Sequence, residues 1–328
     1  MKRLHPGLIL TGIIAIHSLA GACDICSSLT GINPYYSASD NILFHVLLQN
    51  SRHTPPAAST GTGGSKRLAL NHLNAYPGSF PGVYHNAHGT EAPHEIRTTF
   101  ELGYQHHFSE NFMAMGRLPY VLITEEAGGE RLNVRGTGDP SVLVYYVMKD
   151  FLPDDLPSTF LIGGGAKLPL GTTNLRDDHG ATLEPRMQPG SGSTDLLLNA
   201  LATVRFDNWI AAVDINGKIN GSNQEQTRLG NSATISSTLT RDLYRNSEGD
   251  IALLAAAGAR AEMMGDDRIR GAMEHGTGFT TTYASLGSTF IYGSAKLDLT
   301  VLLPLSQHRA DNSADENTRL LVGTRWEL

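Results

Sequence analysis

Outside the N-terminus, no apolar run in this 328-residue chain reaches the roughly 20 residues that a membrane-spanning helix needs, which argues against a helical membrane protein. Positive charge is also in short supply. Against 32 Asp and Glu stand 25 Lys and Arg, a formal net charge of −7, and no segment forms a basic arm, so nucleic acid is a poor partner. Enzyme signatures are missing too. The "GGGAK" at 163–167 lacks the Lys-Ser/Thr of a phosphate loop, and Gly190-Ser191-Gly192-Ser193 lacks the final glycine and the strand-turn-helix setting of a nucleophile elbow. No His-Glu-x-x-His is present. We therefore expect no catalytic residues and no required cofactor.

At the N-terminus, Lys2 and Arg3 precede a mostly apolar run from Leu8 to Leu19, followed by Ala20-Gly21-Ala22. This order is that of a cleaved secretory signal, residues 1–22, and its apolar run is too short to span a bilayer as a helix. Cleavage there makes Cys23 the first mature residue, with Cys26 in a Cys-x-x-Cys, in an oxidising compartment. A disulfide, a metal half-site and lipidation of Cys23 all remain open for the pair.

Beyond residue 40, apolar and polar side chains alternate in stretches of roughly ten to thirteen residues, which is the strand period. In "IRTTFELGYQHHF", Ile96, Phe100, Leu102 and Tyr104 share one face, while Arg97, Glu101 and Gln105 share the other. Twelve candidate strands follow, near 41–50, 96–108, 111–124, 138–149, 158–170, 193–206, 208–220, 231–245, 249–264, 278–291, 293–305 and 317–328. The gaps between them alternate. Residues 51–95, 125–137, 171–192, 221–230, 265–277 and 306–316 read as long loops, and the intervening gaps as short turns. Long loops at one end and short turns at the other are the pattern of outer-membrane barrels, whose short turns are periplasmic.

The expected fold is therefore all-β: an antiparallel transmembrane β-barrel of the outer membrane of a Gram-negative bacterium, over residues 41–328, with about 12 strands. Residues 23–40 precede it as a periplasmic segment that could enter the lumen. Tyr35, Tyr36, Tyr120, Tyr145, Tyr146, Trp209 and Trp326 are candidate interfacial anchors. The C-terminal "RLLVGTRWEL" resembles the strand signal read by the barrel assembly machinery, an expected partner together with outer-membrane lipid.

Three further segments, "GTGDPSVLVYY" at 136–146, "GGGAKLPLGTTN" at 163–174 and "MQPGSGSTDLLLNA" at 187–200, resemble the outer-membrane transporter family named after the meta-pathway of phenol degradation. The resemblance implies a barrel that passes small, often hydrophobic compounds. The start "CDICSS" resembles a subset of related barrels whose mature chain begins Cys-Asp-Ile-Cys-Gly-Cys, with Ser27 and Ser28 at the last two positions here.

Alternation assigns Arg97, Glu101, Arg117, Lys167, Asp195, Arg205, Asp214, Lys218, Arg260, Glu262, Lys296, Asp298 and Arg325 to the lumen. Their signs interleave, so a paired, partly plugged interior is expected, serving a channel or binding barrel for a small molecule. The alternatives are a metal-handling barrel and a structural surface barrel without transport. In the metal-handling reading, Cys23, Cys26, His85, His88 and His94 take copper or zinc, because thiolates two residues apart and clustered imidazoles suit those ions. With the pair periplasmic and the histidines in the first long loop, one shared ion requires a segment folded into the lumen.

Overall fold

The computed structural model describes residues 39–52, 94–127, 130–153, 156–177, 180–309 and 315–328. The signal segment, Cys23, Cys26, His85 and His88 lie outside these residues. The first part of the chain forms β1 (Asn41–Arg52), β2 (His94–His107), β3 (Phe112–Ala127), β4 (Glu130–Thr137), β5 (Ser141–Lys149), β6 (Ser158–Lys167), β7 (Asp195–Phe206) and β8 (Trp209–Ile219). The second part forms β9 (Thr227–Arg228), β10 (Ser232–Arg245), β11 (Ile251–Met264), β12 (Asp267–Ile269), β13 (Ala272–Glu274), β14 (Phe279–Tyr292), β15 (Ala295–Arg309), β16 (Asp315–Glu316) and β17 (Arg319–Glu327).

Twelve of these strands close into one antiparallel barrel, in the order β1, β2, β3, β5, β6, β7, β8, β10, β11, β14, β15, β17. The seam is the pairing of β1 with β17, which runs without a break from Asn41↔Glu327 to Leu48↔Leu320. All twelve strands match the spans that alternation predicts, to within a few residues at their ends.

The barrel is inside out relative to a soluble protein. Leu102, Val142, Val144, Ile162, Leu196, Leu198, Val213 and Ile215 are exposed on its outer face, whereas Arg97, Glu101, Arg117, Lys167, Asp195 and Glu262 are buried. A belt of exposed apolar side chains this large is costly against water and favourable against lipid. Tyr120, Tyr146 and Trp326 project outward with the belt. Tyr145, expected as an anchor, points the other way: it alternates with Tyr146, shares the inward row of Leu143 and Val147, and is buried.

One expected loop is a hairpin. Residues 125–137 continue β3 and form β4, paired from Tyr120↔Thr137 to Ala127↔Glu130. Leu132 and Val134 keep the strand period there. Gly138-Asp139-Pro140 then breaks the strand before β5, where Pro140 offers no ladder donor. Two other long gaps contribute a small sheet, β13–β12–β9.

Both ends of the barrel chain meet at the short-turn end. The Leu328 amide donates to the Asp40 carbonyl at 2.9 Å. The Asp40 carboxylate accepts the His107 amide at 2.8 Å and lies 2.7 Å from His106 Nδ1. That backbone amide, with the His106 side chain, lowers the Asp40 carboxyl to about 2.

Candidate functional site: the mouth and the lumen

The three motif segments, separate in sequence, meet at the long-loop rim of β5, β6 and β7. Lys167 Nζ lies 3.0 Å from Asp139 Oδ2 and 2.7 Å from Asp195 Oδ2, with all three side chains buried, and it also donates to Ser191 Oγ. Asp139 accepts the amides of Gly171 at 2.9 Å and Ser191 at 2.8 Å, and Asp195 accepts the Gly221 amide and the Ser193 hydroxyl. Gly171 has to be glycine, because a Cβ there would sit 2.7 Å from the Gly138 carbonyl carbon. The motif residues thus act as a buried charge cluster that fixes both ends of the β6–β7 loop.

Held at both ends, that loop reaches over the mouth. Gln188 shapes it, its side-chain oxygen accepting the Leu175 amide and its nitrogen donating to the Leu175 and Leu183 carbonyls. Leu183 packs into a buried cluster with Val121, Ile123 and Val134 on the β3–β4 side. Next comes a 3-10 turn, Pro185–Met187. From it, the Arg186 guanidinium grips Asp267 with Nε at 3.1 Å and Nη2 at 2.9 Å. The Arg186 carbonyl accepts a hydrogen bond from Arg97 on β2. Asp267 follows β11, which stands five strands from β2 one way round the barrel and seven the other. The loop is therefore a strap between nearly opposite walls.

Below the strap, charge is paired across the interior. Glu262 on β11 accepts Arg260 Nε at 2.7 Å and Arg319 Nη1 at 3.0 Å, although β14 and β15 separate its strand from that of Arg319. The same guanidinium lies 4.8 Å over the Tyr283 ring. Asp214 accepts hydrogen bonds from Asn199, at 3.0 Å, and from Asn216. His45 lies 3.7 Å from Glu101. Lys296 pairs with Glu327, and Thr289 donates to Asp298. Arg117, Lys218 and Arg325 are buried on inward rows, whereas Arg205 ends its inward row exposed at the short-turn rim.

Not all of the interior is polar. Met113, Met115, Leu143, Tyr145, Val147, Leu161 and Leu197 form a buried apolar cluster on the inward rows of β3, β5, β6 and β7. Gly163 makes room for the Tyr145 ring, since a Cβ there would lie 2.4 Å from its Cδ1.

The metal reading rests mainly on Cys23, Cys26, His85 and His88, outside the described residues. His94 opens β2 with Nε2 3.1 Å from the Asn50 side chain. Among the described residues no group of three or more His, Cys, Asp or Glu is placed to hold an ion.

No family model and no curated protein matches the sequence. Solved structures do match in shape. An outer membrane channel from Pseudomonas putida F1 is similar over 90% of this chain and 97% of that one, at 12% identity and a TM-score of 0.60. The β domain of the Bordetella autotransporter BrkA matches over 88% and 100%, at 10% identity and a TM-score of 0.48. The translocator domain of the autotransporter NalP from Neisseria meningitidis matches over 89% and 90%, at 12% identity and 0.42. The fold is that of an outer-membrane β-barrel. At such identity the likeness speaks to fold alone.

Proposed function

We propose that this protein is an outer-membrane channel for a small molecule, with its strapped mouth outside the cell and its short turns in the periplasm. The observation that carries the reading is the Arg97–Arg186–Asp267 strap, a loop tied across the mouth above a lumen of mutually paired charges. A purely structural barrel needs no such constriction. We also read the protein as a relative of the meta-pathway family, because its three motif segments serve one cluster; those segments build the rim and carry no information about the permeant. A cleaved signal would deliver the chain to the assembly machinery.

The test is conductance and solute uptake by the full chain in planar bilayers and liposomes. Wild type should pass small solutes, and both Arg186→Ala and Asp267→Asn should raise conductance by loosening the strap. If neither wild type nor these two variants conducts ions or takes up solute, the channel reading is wrong and the structural barrel stands.

A further inference from the structure

One stretch of the lumen wall, on the inward face of β10, carries neither charge nor grease. The inward row of β10 runs Ser232, Thr234, Ser236, Thr238 and Thr240, five hydroxyls in succession, before Asp242, which pairs with Arg245. At about 3.4 Å per residue they span roughly 27 Å along the strand, which at a tilt of about 45° crosses roughly two thirds of a bilayer's hydrocarbon core. Three of the hydroxyl oxygens, on Thr234, Ser236 and Thr240, are buried without a hydrogen-bond partner. A buried hydroxyl left unpaired costs free energy that valine or alanine would avoid, so a strand that keeps three invites an explanation other than packing.

Space lies beside the row. A cavity of about 30 Å³ touches Thr234, and another of about 20 Å³ touches Ser236 and Thr238. Toward the short turns the neighbouring inward positions are small, Thr238 pairing with Gly258 and Thr240 with Ala256, which in turn faces Gly287. Toward the long loops they are charged, with Lys218 opposite Ser232, Glu262 opposite Thr234, and Asp214 and Arg260 opposite Ser236. Arg260, opposite Ser236, is held by Glu262 at 2.7 Å.

We propose that the inward face of β10 is a binding track for small uncharged hydroxylic molecules, the polyols. This rests on the channel reading and extends it. Each hydroxyl both donates and accepts, so a neutral solute exchanges its water hydrogen bonds one for one along the row. The charges beside the row are already engaged, Glu262 by Arg260 and Arg319 and Asp214 by Asn199 and Asn216, and from Ser232 to Thr240 the row itself carries none. The cavities admit one water-sized group at a time, which suits a chain of hydroxymethyl units better than a bulky ring.

The test is swelling of liposomes that contain the full-length protein in isosmotic glycerol and in isosmotic glycine, together with ion conductance. Glycerol should enter wild type faster than glycine. T234V/S236A/T240V should slow glycerol severalfold without lowering ion conductance, and T234S/T240S should keep the wild-type rate. Heat-modifiable migration checks that each variant folds, and S236A alone, which only trims a side chain, should still slow glycerol. Equal glycerol rates in wild type and the valine and alanine variants, or no glycerol preference in a conducting wild type, overturn the track and leave the channel standing. No swelling and no conductance in any form overturn both.

Discussion

The walls built by β5–β7 and by β10 line the same lumen on opposite terms. On β5–β7, Lys167 sits buried between Asp139 and Asp195, and each carboxylate is further tied to a loop amide. On β10, hydroxyls are buried with nothing to hold. One wall is fixed by interdependence, so that removing a partner strands a charge. The other can lose its polar atoms singly.

The sharpest way to separate them is Lys167→Met, which strands two buried carboxylates and should cost about 3–5 kcal/mol of stability, read as urea unfolding in micelles. A loss no larger than that of an exposed substitution would mean that water reaches the cluster. Next is Gly163→Ala, where the new methyl meets the Tyr145 ring at 2.4 Å, for an overpacking cost of about 1–3 kcal/mol in the same assay. Thr240→Val lies at the far end of the comparison: it removes an unpaired hydroxyl at constant shape and should be within about 1 kcal/mol of wild type, or more stable. A larger loss would show that the oxygen has a partner and would erase the contrast between the walls.

The smallest effect belongs to neither wall, at the short-turn end. The Asp40 carboxyl is lowered from 3.8 to about 2 by the His107 amide and His106, so its contribution is complete above the unfolded value and is lost as pH falls through the folded one. The midpoint of heat-modifiable migration should differ between wild type and Asp40→Asn at neutral pH, and the gap should narrow from about pH 4 toward pH 2. A gap that persists at pH 2 would assign the effect to packing.

Alternation made the twelve strands legible, because an inward row and an outward row differ in polarity at every second residue, as Arg97 and Glu101 do from Phe100 and Leu102. The motif segments were legible as segments, but their meeting at Lys167 was not, since Asp139 and Ser191 are brought together by strand register. Arg186 and Asp267 carry no legible period: 81 residues apart, one in a 3-10 turn and the other opening a three-residue strand, they are joined only when the barrel closes. Tyr145 was misread by residue type where its own row, Leu143 and Val147, pointed inward. The 125–137 hairpin was missed because β4 pairs with β3 alone, so it shows no second strand beyond it.

The seam between β1 and β17 sets the order in which the molecule can be made. The first strand's partner is a nine-residue strand at the other end of the barrel sequence, and bringing two ends about 270 residues apart together costs roughly 5 kcal/mol of chain entropy. Until Arg319–Glu327 arrives, β1 presents one whole row of unpaired amides and carbonyls, the most adhesive surface a sheet can offer. A slip of one residue at that joint would turn Leu320 and Val322 inward and Arg319 and Arg325 toward lipid. The vulnerable moment in the life of this protein is therefore not its passage of solute but the interval before its two ends meet.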